Sequence, residues 1–216
     1  MPTIYTKLEE IFHMVSHIIG AVLGVVALVL CVVFSSMTGD VYKIVSSIIF
    51  GLSMIALYTM SSVYHGLPKD TKAKKIFQII DHCTIFILIA GTYTPFALCT
   101  LREYDAKLGW TIFAFVWITG IVGLILNAID LKKYEKFSLV CYIAMGWCIV
   151  WKASLLPKLL TPTGFMLVLL GGIAYTIGAI FYVLGKKKKW MHLVFHIACV
   201  IGSLLHLLSI IFYVIF

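Results

Sequence analysis

His192 and His196 stand four residues apart in "WMHLVFH". On a helix that spacing puts two imidazoles on one face with Cβ atoms about 5–6 Å apart, a separation from which both can bind one metal ion. His65 ends another apolar run in "SSVYH", and Asp81 opens a third in "IIDHCTIF". Three neutral imidazoles leave one position of a tetrahedral zinc open, the arrangement of a catalytic rather than a structural site. Zinc in such a site lowers the pKa of water to about 7 and polarises a carbonyl under attack. Asp81 is the carboxylate available to move protons, unless it only complements the dipole at its own helix N-terminus. Ser61 lies four residues before His65 and shares its face. Its hydroxyl can steady a developing oxyanion or bond back to a carbonyl of its own helix.

These readings require His65 and Asp81 to lie at the depth of His192 and His196. The composition identifies the elements that set that depth. Hydrophobic residues make up 62% of the 216-residue chain, charged residues 12%, and the mean hydropathy is +1.07. Soluble domains are nearer half apolar, so the fold class is all-α and polytopic in a membrane. A bilayer core of about 30 Å takes about 20 apolar residues per helical span. Seven such runs are legible: Val15–Phe34, Tyr42–Tyr64, Ile76–Leu98, Gly109–Ala128, Phe137–Leu156, Gly164–Leu184 and Met191–Phe216. The breaks between them are too short for a soluble domain or a nucleotide-binding loop, so residues 1–216 are read as a single seven-transmembrane-helix bundle.

Assigning the basic residues to alternate sides of seven spans separates them unevenly. Lys7, Lys69, Lys72, Lys74, Lys75, Lys132, Lys133, Lys136 and Lys186 to Lys189 make twelve on one side; Lys43, Arg102, Lys107, Lys152 and Lys158 make five on the other. The positive-inside rule then puts the amino terminus in the cytoplasm and the carboxyl terminus outside. The net charge of +8 is accounted for by topology and contact with anionic headgroups, which excludes a nucleic-acid footprint. The expected location is a plasma membrane, and the expected partner is a membrane lipid, as substrate or ligand.

This topology brings His13, His17, His65, His82, His192 and His196, six of the seven histidines, to the cytoplasmic ends of their helices together with Asp81. Ionisable groups inside spans are functional candidates by default. His206 lies ten residues past His196, about 15 Å deeper at 1.5 Å per residue. It is therefore expected to line a cavity or bond between helices rather than bind the same ion. Glu10, His13 and His17 form a second candidate metal set, although their place at the amphipathic start of the first span favours an interfacial role. His82 is expected to face a neighbouring helix.

The six cysteines show no C-x-x-C pair and are read as small core residues, with Cys199, three past His196, the one near the site. Gly20 and Gly24 in "GAVLG" are expected to allow close helix approach, and Pro95 to bend the third span.

Ser61 and His65 in "SSVYH", Asp81 in "IIDHCTIFILIAGTYTP", "MGW" at Met145–Trp147, and His192 and His196 in "WMHLVFH" occur in an order that resembles the hemolysin III family, over essentially the whole chain. That family lies within the superfamily of the progestin and adipoQ receptors and the alkaline ceramidases. The resemblance implies a seven-helix bundle with zinc on His65, His192 and His196 near the cytoplasmic side, and Asp81 and Ser61 acting around it. "YHG" departs from the "YHS" that members of this group often show, so a hydroxyl directly after the first ligand is missing.

Three functions are compatible with these residues. The first is an intramembrane zinc hydrolase of a lipid amide or ester. The second is the pore formation or cytolysis that the family name carries, against which stands the lack of any soluble form of so apolar a chain. The third is a lipid-sensing receptor or membrane-homeostasis factor with a structural zinc. Clustering at one membrane face argues against an ion pathway.

Overall fold

Short polar residues start and stop the helices at the places where backbone groups lose their partners. The computed structural model describes residues 5–216. Helix α1 (Lys7–Thr38) opens with a reciprocal capping box between Thr6 and Glu9 and closes at Gly39, whose φ of 70° is left-handed. Asp40 caps α2 (Val41–Gly66) by accepting from the amides of Tyr42 and Lys43. Thr71 caps α3 (Lys72–Pro95), and past Pro95 the helix loosens into a π-helical turn over Phe96–Leu101. The expected disturbance at the proline is thus a widened turn.

The expected fourth and fifth spans are joined more tightly than the apolar runs suggest. Ala106–Trp147 is helical over 42 residues except at Asp130, with φ −156° and ψ 91°. A straight helix of that length would measure about 63 Å, twice the bilayer core. The chain instead folds back at Asp130, because Ser138 Oγ donates to Asn127 Oδ1 at 2.6 Å across eleven residues that a continuous helix would hold far apart. Residues 106–129 form α4 and residues 131–147 form α5, so the expected loop between these spans shrinks to one residue. The fifth span ends at Trp147 rather than Leu156; short turns at Val150–Lys152 and Leu156–Leu159 follow it. Helix α6 (Thr161–Gly185) and helix α7 (Met191–Ile210, continued by a π-helical turn over Ile211–Ile215) complete seven crossings.

Helix α1 packs along α2, α2 along α3, α6 along α7, and α7 returns to α1. Helix α3 is the central element: 83% of its most apolar stretch is buried, against 11% for α6. The glycines of α1 permit the closeness of α1 and α2, since a Cβ at Gly20 would stand 2.5 Å from the Tyr58 ring. Side chains such as Ile19, Val22, Ile118, Ile129 and Ile180 are exposed and cover the outer surface with apolar groups suited to lipid. Helix α6 has few contacts with α5, and the internal cavity lies on that side.

Candidate metal centre

The first turns of α1 and α7 are tied together by a backbone contact. Trp190, with φ 65°, donates its amide to Glu9 Oε1 at 2.8 Å. A carboxylate there satisfies one of the free amides at the start of α7 and suits the helix dipole. This link carries the α7 histidines to the α1 histidines. His196 Nδ1 lies 3.2 Å from the carbonyl of His13 and 3.2 Å from Ser16 Oγ; donation to the carbonyl leaves Nε2 as its free nitrogen. The His196 ring stacks on that of His17 at 3.6 Å.

His65 comes in from the end of α2 and is oriented by a carboxylate. Its Nδ1 is 2.6 Å from Glu10 Oε2, and Glu10 Oε1 accepts from Lys74 Nζ at 2.9 Å. A histidine held in this way presents its other nitrogen as a metal ligand of raised basicity. His65 Nε2, His192 Nδ1 and both ring nitrogens of His13 are buried without a hydrogen-bond partner among the described residues. Orphaned buried polar atoms are costly, and several in one place fit a bound cation. His13, His65 and His192 can each offer a ligand atom within 4.8 Å of the others. The donor set is all imidazole, which suits zinc and several other transition metals.

Ser61, Asp81, His192 and His196 line one cavity of about 460 Å³ that also reaches His206. Among the described residues no hydrogen bond joins Ser61 or Asp81 to the histidines; the ring nitrogen nearest the Asp81 carboxylate is His82 Nδ1, at 3.7 Å. His82 itself turns to α6, with Nε2 3.3 Å from the Tyr182 hydroxyl, as its position beside Asp81 suggested. His206 Nε2 donates to the Val168 carbonyl at 3.1 Å, making the interhelical bond expected of it. Cys199 is buried, and its carbonyl accepts from Tyr58; all six cysteines are free.

Glu10, His13 and His17 depart from the interfacial role expected of them. They are 6%, 0% and 3% exposed and join the same centre, so the two candidate sets of the sequence are one. Their spacing along α1 and their shared depth were the available signal; the missing information was which face α1 turns inward. Tyr5 closes the centre from the cytoplasmic end, its ring stacked on His192 at 4.9 Å. Burial, then the charge of Glu10, raises the Tyr5 phenol well above its ordinary pKa, so it stays protonated.

Fold and site together define a polytopic membrane protein with a buried polyhistidine centre opening into an intramembrane cavity. The haemolysin-III related family model matches residues 5–207, and the chain belongs to that family. Hemolysin-3 of Bacillus cereus is 40% identical over 95% of this chain and 92% of its own length. The hemolysin-3 homolog of Bacillus subtilis (strain 168) is 37% identical over 97% and 96%. The human monocyte to macrophage differentiation factor is 23% identical over 95% of this chain and 83% of its own. With six helices long and apolar enough to cross a bilayer, one of them folded into two crossings, the protein is a multi-pass integral protein of the bacterial plasma membrane.

Proposed function

We propose that the protein is an intramembrane zinc-dependent hydrolase of a lipid amide or ester bond. The observation that carries this reading is the convergence of unpartnered, buried imidazoles with Asp81 and Ser61 at one end of an apolar cavity inside the bundle. His65, His192 and His196 hold the metal, and zinc supplies Lewis acidity and acidifies water there. Glu10 orients His65 through Nδ1. Asp81 takes the proton of the attacking water and returns it to the leaving amine or alkoxide. Ser61 donates its hydroxyl to the developing oxyanion. The lipid enters beside α6, where Gly172, Tyr175, Thr176 and Ala179 of that helix line the cavity.

The test is zinc content by mass spectrometry and fatty-acid release from a panel of lipid amides and esters, for wild type and His192→Ala in detergent. The expected result is stoichiometric zinc and release from at least one lipid, both lost in the variant. Full zinc occupancy with no release from any lipid would leave the ion structural. Conducting pores that survive His65→Ala and His192→Ala would favour the cytolytic reading that the relatives' names suggest.

A further inference from the structure

Two of the seventeen basic residues, Lys186 and Lys187, line the intramembrane cavity. They follow the end of α6, with Tyr182 one turn before them and Glu135 of α5 opposite. Lys186 Nζ is 2.6 Å from Glu135 Oε1, and the same oxygen accepts from the Tyr182 hydroxyl at 2.8 Å. That carboxylate is already matched. The other carboxylate of the cavity, Asp81, lies 3.7 Å from His82 Nδ1. Lys187 is exposed and has no ion-pair partner among the described residues.

The neighbouring turns add to the positive charge at this mouth. Residues 130–136 and 185–190 carry seven lysines against two carboxylates, and the Asp130 carboxylate caps the Lys133 amide. On the α2–α3 side, by contrast, Lys69 and Lys74 turn to protein groups, the Tyr5 carbonyl and Glu10. Topology requires only that lysines lie on the cytoplasmic side; it does not require that two of them border a cavity.

Behind the lysines the cavity is a slot between helices. It runs past Leu139, Ile143 and Ala179 to Gly172, thirteen residues and about 20 Å before the end of α6. One lipid chain spans half of a hydrocarbon core of about 30 Å, so the slot is long enough for a chain. The histidine centre lies near the charged end: Lys186 Nζ is 5.0 Å from the Tyr182 ring, whose centre is 5.9 Å from that of His192. A lipid held at the lysines by an anionic group has the bonds between head and chain close to His192.

We propose that Lys187 binds the phosphodiester of an anionic phospholipid at the cytoplasmic mouth of the cavity, with one chain of that lipid in the slot. This rests on the hydrolase reading and names its substrate class. An ammonium against the low-dielectric wall of the bundle attracts a phosphate more strongly than one in water. A zwitterionic head offers the same phosphate but brings its own cation among seven lysines, which disfavours it.

Diether lipids have no ester to cleave, so they report binding apart from turnover. The full chain in detergent is titrated with diether phosphatidylglycerol, phosphatidylcholine and phosphatidylethanolamine, and bound lipid is counted by native mass spectrometry. Wild type is expected to bind phosphatidylglycerol at least about fivefold more tightly than either zwitterionic lipid. Lys187→Gln is expected to weaken that binding about fivefold, the contribution of one lysine near anionic lipid. Lys72→Gln, exposed at the start of α3 and away from the cavity, should bind as wild type does, and Gly172→Leu should lose the tight site. Equal binding of the three headgroups would overturn the proposal, as would unchanged binding in Lys187→Gln. An equal loss in Lys72→Gln and Lys187→Gln would also overturn it, because it marks diffuse attraction to the lysine-rich face. Fatty-acid release from ester lipids with no headgroup preference would sink this inference and leave the hydrolase. Tight phosphatidylglycerol binding by a protein that cleaves no lipid would sink the hydrolase and leave the headgroup site.

Discussion

Glu10 controls the centre without facing the lipid cavity. One carboxylate oxygen holds Lys74 Nζ and the other holds His65 Nδ1, at 2.9 and 2.6 Å. Glu10→Gln keeps a hydrogen-bond acceptor but removes the charge that makes His65 a strong ligand. Zinc affinity is therefore expected to fall about 10- to 100-fold while the protein still folds, measured by chelator competition beside a thermal melt. Asp81 has the opposite profile. It lines the cavity and lies apart from the imidazole nitrogens, so Asp81→Asn should lower lipid turnover about 10²- to 10⁴-fold with zinc content unchanged. Loss of zinc in that variant would show Asp81 to be part of the metal sphere.

At the scale of helices, the centre depends on α1 lying close to α2, and the cavity on α4 turning into α5. Gly20 faces the Tyr58 ring at a distance no side chain tolerates, and Tyr58 in turn bonds to Ser203 Oγ on α7 at 2.6 Å. Gly20→Leu forces α1 away and is expected to cost at least about 1–3 kcal/mol, read as an earlier thermal midpoint and faster labelling of buried Cys31 and Cys199. Asp130 breaks the helix and accepts from the Lys133 amide at 3.0 Å. It acts as an ordinary cap, so Asp130→Ala should cost only about 1 kcal/mol and leave the turn in place. The hydrogen bond between Ser138 and Asn127 keeps the two crossings together without it.

For the whole molecule, the cavity beside α6 is where lipid and centre meet. Gly172 lines it, and a Cβ there would meet nothing nearer than Trp147 at 3.9 Å. Gly172→Leu therefore fills space that a lipid would use. It is expected to keep or raise stability, retain zinc and reduce fatty-acid release severalfold; undiminished release would place the lipid elsewhere. Topology has its own check. A reporter active only outside the cytoplasm is expected to give signal when fused after Phe216 and none when fused among Lys186 to Lys189.

Composition and lysine placement made the bundle legible in the chain, because lipid demands about 20 apolar residues per crossing and a positive cytoplasmic side. The same arithmetic placed six histidines and Asp81 at one depth, and helical period paired His192 with His196 and Ser61 with His65. It could not show that residues 129–136 are a turn of one non-helical residue, since a charged stretch can stay helical at the membrane surface while the break is set by a single backbone conformation. Nor could it separate His13 from an interfacial residue: depth follows from position along a helix, but which face turns inward follows from the neighbours it packs on. The tertiary structure supplied those neighbours, seating α1 against α2 through Gly20 and pinning its start to Trp190 through Glu9. The sequence by itself determined the number of helices and the shared level of the centre along them, which are one-dimensional quantities. The membership of that centre, with His13 facing His65 and His192 and Glu10 behind His65, was decided by rotations of helices about their axes, which only packing in three dimensions sets.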